Sequence, residues 1–102
     1  MWLKTPKKPK MTATDAEAIA AGALALIAED PARINRFLTD SGLSPGELME
    51  RAADRDTLAA VLDHVCSDES LLLLFAAERQ LTPEQVVAAQ EMLCGRRPEY
   101  SP

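Results

Sequence analysis

Three dipeptides fix where this chain begins its helices: Asp30-Pro31, Ser44-Pro45 and Thr82-Pro83. In each, a residue that caps helices well precedes a proline. Proline lacks the N–H that a first helical turn leaves unbonded, and its fixed φ already suits a helix. Glu47 and Gln85 stand three residues after Ser44 and Thr82 and complete two capping boxes. Thr12 with Asp15, or Thr14 with Glu17, makes a similar start upstream. Gly42 and Gly95 are natural stops.

This punctuation divides the chain into segments of helical length. They run from about Ala13 to Ala28, Asp30 to Gly42, Ser44 to Ala53, Arg55 to Val65, Asp68 to Arg79 and Thr82 to Leu93. Ser67 is the expected cap of the fifth. Apolar residues, mostly Ala and Leu, make up 47 % of the chain and aromatics 4 %. That composition favours helices, since β-branched and aromatic strand formers are scarce. The expected fold class is all-α: a compact bundle of five to six short helices. One domain, 12–95, is flanked by a basic disordered tail, 1–11, and a short tail, 96–102.

The longest run of large apolar residues is Leu71-Leu72-Leu73-Leu74-Phe75. Five such side chains on a helix point all round its axis, which implies a helix covered on every side. The run should therefore form the centre of the fold, with the first, fourth and sixth helices around it. The second helix, with only Ile34, Phe37 and Leu38 as its stripe, should lie on the surface. Leu58, Val61, Leu62 and Val65 give the plainest amphipathic pattern in the chain. Gly22, among Ala18, Ala21 and Ala25, suggests the close approach of a neighbouring helix.

An offset of 38 residues relates the two halves of the chain. Asp30 falls on Asp68, Phe37 on Phe75, Leu43 on Leu81, and Ser44-Pro45 on Thr82-Pro83. Ala23 falls on Val61 and Ile27 on Val65. The chain thus reads as two pseudo-repeated three-helix units, roughly 14–53 and 54–93.

The net charge of −5 is unevenly spread. Lys4, Lys7, Lys8 and Lys10 give the tail +4, while 7 Arg against 16 acids leave the rest at −9. An acidic body disfavours nucleic acid and anionic membrane as its partners. The lysine tail is the one element that suits a nucleic-acid-associated regulator. It also reads as a plain extension ahead of Met11. No secretory leader or membrane-spanning stretch is apparent, so the expected compartment is the cytoplasm, with Cys66 and Cys94 reduced.

Catalytic and metal-binding patterns are weak. His64 stands near Asp63, Cys66, Asp68 and Glu69, but a zinc site needs more ligands than one His and one Cys. It reads as a helix-end histidine favoured by the dipole. Cys66 and Cys94 lack an activating base at helical spacing. Gly42-Leu43-Ser44 fits the turn of a helix-turn-helix, but Glu47, Glu50 and Arg51 make a poor recognition helix. The expectation is no enzyme, no catalytic residues, no metal and no cofactor. A protein-interaction or assembly module, with a protein partner or a second copy, fits best. Met49, Leu73, Val87 and Met92 are the candidate partner surface.

Asp30-Pro31, Phe37-Leu38, Gly42-Leu43-Ser44-Pro45, Leu58 to Asp63 and Asp68 to Ala76 together resemble a family of short, uncharacterised all-helical bacterial proteins. It is a domain of unknown function found mainly in alphaproteobacteria. The likeness spans roughly residues 12–95. It implies a cytoplasmic bacterial protein without an assigned activity, so no functional residues carry over.

Overall fold

A computed structural model describes residues 11–94. The two tails, 1–10 and 95–102, and Gly95 as a helix stop lie outside these residues. Six helices follow in order: α1 Ala13–Ala28, α2 Pro31–Ser41, α3 Pro45–Arg51, α4 Arg55–Cys66, α5 Glu69–Arg79 and α6 Pro83–Cys94. Among the described residues there is no strand, so the chain is all-α.

The caps act as the sequence indicates. The Asp15 N–H donates to Thr12 Oγ1 at 3.0 Å, and the Glu47 N–H donates to Ser44 Oγ at 3.1 Å. Thr82 and Gln85 exchange both bonds of a box, at 2.8 and 3.1 Å. The Ser44 N–H donates to Glu47 at 2.9 Å, and these bonds hold the Glu47 carboxyl below its ordinary pKa. Asp54, an expected cap of α4 alongside Asp56, stands at its N-terminus without a side-chain capping bond, and a second cap also differs. Asp68, not Ser67, caps α5, accepting from the Leu71 N–H at 3.2 Å. Ser67 instead closes α4, its hydroxyl donating to the Asp63 carbonyl at 2.7 Å.

The core is built by α1, α4 and α6, which pack on one another. Ala16, Ala20, Ala23 and Ile27 of α1 meet Leu58, Val61, Leu62 and Val65 of α4 and Val86, Ala89 and Leu93 of α6, all buried. The small residues of α1 let the larger ones of α4 and α6 approach closely. Phe37 and Phe75, each 0 % exposed, fill the ends left by α2 and α5. Met11 packs against this core, partly buried.

The centre therefore lies in α4 with α1 and α6, not in α5. Only Leu71, Phe75 and Ala76 of α5 are buried. Leu72 is partly buried, and Leu73 and Leu74 are 50 % and 36 % exposed. The helix rests on α4 and α6 by one stripe, and 3.6 residues per turn carry the two middle leucines to the other side. The second helix is peripheral as expected, with Phe37 its only buried residue.

The 38-residue offset holds in the structure. Helices α1 and α4 end at 28 and 66, α2 and α5 span 31–41 and 69–79, and α3 and α6 begin at 45 and 83. Even the left-handed caps match: Gly42 at φ 80° and Gln80 at φ 59°. The halves share local structure but not packing. Helix α6 lies along α1 and α4, whereas its seven-residue counterpart α3 buries only Leu48.

At Gly22 no helix approaches closely. The neighbour is the Arg79 guanidinium, which donates to the Gly22 carbonyl at 3.3 Å. A Cβ on Gly22 would meet Arg79 Cζ at 3.3 Å, and Arg79 is exposed and free to shift. Gly22→Ala is thus expected to raise stability, by up to about 1 kcal/mol from helix propensity. Urea unfolding checks this, and a loss would mean that the Arg79 contact matters more.

Candidate binding site: the cleft between α2 and α5

Helices α2 and α5 both lean on α4, and a cleft of about 220 Å³ opens between them. Its walls are equivalent positions of the two halves. Ala32, Arg33 and Arg36 line one side and Ser70, Leu71 and Leu74 the other, at sequence positions 38 residues apart. The α2 wall carries Arg33 and Arg36, and the α5 side carries Leu71 and Leu74 together with Ser70 and the Asp68 carboxylate. That contrast sits in an acidic surround: of the five arginines in residues 11–94, two lie here, the others being Arg51, Arg55 and Arg79.

His64 forms part of the lining. It lies in the last turn of α4, one turn after Val61, so the helix period turns it inward. It is a helix-end histidine, as the sequence suggests, and its side chain is only 6 % exposed. The ring stands edge-on to Phe37, centroids 5.4 Å apart and planes 70° apart. Nδ1 lies 3.0 Å from Asp40 Oδ2 of α2. With Nδ1 held by Asp40, Nε2 faces the opposite way and has no hydrogen-bond partner among the described residues. A smaller hollow of about 150 Å³, lined by Asp40, Asp63 and Ser67, adjoins the Nδ1 side.

The arginines are held loosely or partly. Arg33 donates to the Leu26 carbonyl at 3.2 Å and stands 3.9 Å from Asp30. Arg36, largely exposed, reaches only to 3.9 Å from Asp68 Oδ2 across the cleft. Arg36 therefore keeps most of its donors for another acceptor.

The residues singled out from sequence lie on three helices, α3, α5 and α6. Met49 is 81 % exposed, on α3. Leu73 is exposed on α5, beside the cleft wall formed by Leu74. Val87 lines a shallow groove on α6 with Pro83, Glu84, Ala88 and Glu91. Met92 packs against the core, and its carbonyl accepts from Arg55 at 2.8 Å. Leu74, the chain neighbour of Leu73, lines the cleft with His64 and with two residues that sequence reasoning passed over, Arg33 and Arg36. The signal for the arginines lay in the 38-residue offset, which sets Arg33 and Arg36 on Leu71 and Leu74.

Ser70 also borders the cleft, but no hydrogen bond joins it to His64, so the hydroxyl lacks the contact that would activate it. No group of three or more His, Cys, Asp or Glu able to hold a metal ion occurs among the described residues. Cys66 and Cys94 are free. Burial, then the nearby Asp63, Cys94 and Glu91, push the Cys66 thiol from an ordinary 9.0 to about 11. That leaves roughly a hundredfold less thiolate at mildly alkaline pH. Iodoacetamide is expected to modify the exposed Cys94 first and Cys66 only slowly. Mass spectrometry reads the order, and equal rates would contradict the burial of Cys66.

Among the described residues, no helix is long and apolar enough to cross a membrane. No curated protein and no solved structure matches the chain. A family model matches residues 13–96, close to the span of the resemblance seen in the sequence, and the chain belongs to that family, described as Protein of unknown function (DUF3572).

Proposed function

We propose that this protein is a non-enzymatic interaction module that takes a segment of another protein against α5 and into the cleft beside it. The observation that carries this reading is the exposure of Leu73 and Leu74 next to a cleft where Arg33 and Arg36 stand across from Leu71 and Leu74. Two large apolar side chains left partly outside the core stabilise the monomer less than buried leucines do, and such residues mark contact surfaces when grouped. The arginines define the partner's chemistry. Arg33 and Arg36 favour a segment with carboxylates beside its apolar anchor, and a second copy of this acidic chain would meet repulsion elsewhere. The free thiols accord with a reducing compartment such as the bacterial cytoplasm.

A photo-crosslinking residue in place of Leu73 tests the reading in cells that make the protein. The expected product joins position 73 to one other protein, at a segment carrying an apolar residue and a carboxylate. Crosslinks only to a second copy of this chain, or none, would contradict it.

A further inference from the structure

The cleft has a shape and a distribution of charge that narrow the segment further. Its 220 Å³ is room for about one residue, not for a helix or a drug-sized ligand. One wall offers the guanidinium groups of Arg33 and Arg36, and the other offers Leu71 and Leu74 with Ser70 and a single carboxylate, Asp68, at its edge. A residue filling it must therefore bring negative charge and apolar surface from the same short length of chain. An internal aspartate or glutamate carries its charge at the end of its side chain and leaves the leucine wall bare. An apolar residue at a free carboxyl terminus carries both at once: the carboxylate from its backbone, the hydrocarbon from its side chain.

His64 supplies a third requirement. Its ring is 94 % buried by the measure of its 6 % exposure, and Nε2 lacks a partner among the described residues. A buried polar nitrogen without a hydrogen bond is unfavourable, and the His64 side chain borders the cleft. A carboxylate is planar and has two oxygens. One can lie on Arg36, and the other can accept from His64 Nε2 when the ring carries a proton on both nitrogens, so that Nδ1 donates to Asp40 and Nε2 to the carboxylate. Asp68 already shows that the rim accepts such a group, with Oδ2 turned toward Arg36 at 3.9 Å while Oδ1 caps α5.

From this juxtaposition we infer that the α2–α5 cleft is a receptor for the free carboxyl terminus of a partner protein ending in an apolar residue. Arg36 and His64 bind the carboxylate, and Leu71 and Leu74 bind the terminal side chain. The inference rests on the docking reading above and specifies its ligand.

The test uses two hexapeptides ending in leucine, one with a free carboxyl terminus and one amidated, added to the full chain. The chain has a single histidine, so the His64 ring signals in NMR report on the site without overlap. The free acid is expected to shift those signals saturably, with the amide binding at least about tenfold more weakly, as expected for loss of a charged hydrogen-bonding group. Arg36→Gln should weaken the acid by a similar factor and leave the amide unchanged. Leu74→Ser should weaken both. Three results would overturn the inference: equal binding of acid and amide, no shift at millimolar peptide, or an equal shift from acetate alone. Its failure is distinguishable from failure of the docking reading. A crosslink from position 73 to an internal segment of a partner would preserve the docking reading and eliminate the terminal carboxylate.

Discussion

Phe37→Ala is expected to destabilise the protein by about 3–5 kcal/mol, as for a fully buried aromatic residue. Phe37 is 0 % exposed and is the only buried residue of α2. Its ring also holds His64 edge-on. Removing it takes away the anchor of α2 and opens a cavity against α4, where Ile34 and Leu38, both only partly buried, cannot substitute. A domain of this size has about 5–15 kcal/mol of stability in all, so the variant should unfold at markedly lower urea. The His64 ring signals should shift as well, because the α2 wall of the cleft depends on the same contact. A loss below about 1 kcal/mol would mean that α2 is held by something other than Phe37.

The second large effect concerns leucines that look alike in sequence. Leu62→Ala should cost about 2–5 kcal/mol, since Leu62 is 0 % exposed in the packed centre of α4. Leu73→Ala, in the middle of the five-residue apolar run, should stay within about 0.5 kcal/mol, since half of it faces solvent. Leu72, partly buried, should fall between them. Urea unfolding of the three variants orders them directly. Equal costs for Leu62 and Leu73 would place α5 at the centre after all.

Local structure was readable because it is written in local chemistry. Asp30, Ser44 and Thr82 cap their helices through bonds to N–H groups two or three residues on, which needs no tertiary information. The amphipathic stripe of α4 was equally plain, because its polar positions leave a single apolar face. Helix α5 misled for the converse reason. An unbroken apolar run has no period, so nothing in it tells which side meets the core. The side was set by Phe75 and Leu71 meeting α4 and α6, a long-range choice. The left-handed turn after α5 was also unmarked, because Gln80 stands where Gly42 serves the first half. Its conformation is held by tertiary order and by the Leu81 N–H, which donates to the Ala76 carbonyl at 2.8 Å.

The cleft was half legible. Leu73 was readable as a surplus apolar residue. The arginines were not, since an arginine on a surface helix is ordinary until its opposite wall is known. His64 was readable as a helix-end histidine, but not its burial, because Phe37 and Asp40, its neighbours in the fold, lie on another helix. Met49 and Val87 shared the same apolar signal as Leu73 but lie on α3 and α6, away from the cleft lining.

The central claim is that the outer leucines of α5 serve a partner and not the fold. It is tested most directly by the affinity of the crosslinked partner for the double variant Leu73→Ser, Leu74→Ser, once urea unfolding shows that variant to be folded. The expected result is a stability within about 1 kcal/mol of the parent with binding weakened at least about tenfold. Undiminished binding by a folded double variant would contradict the claim.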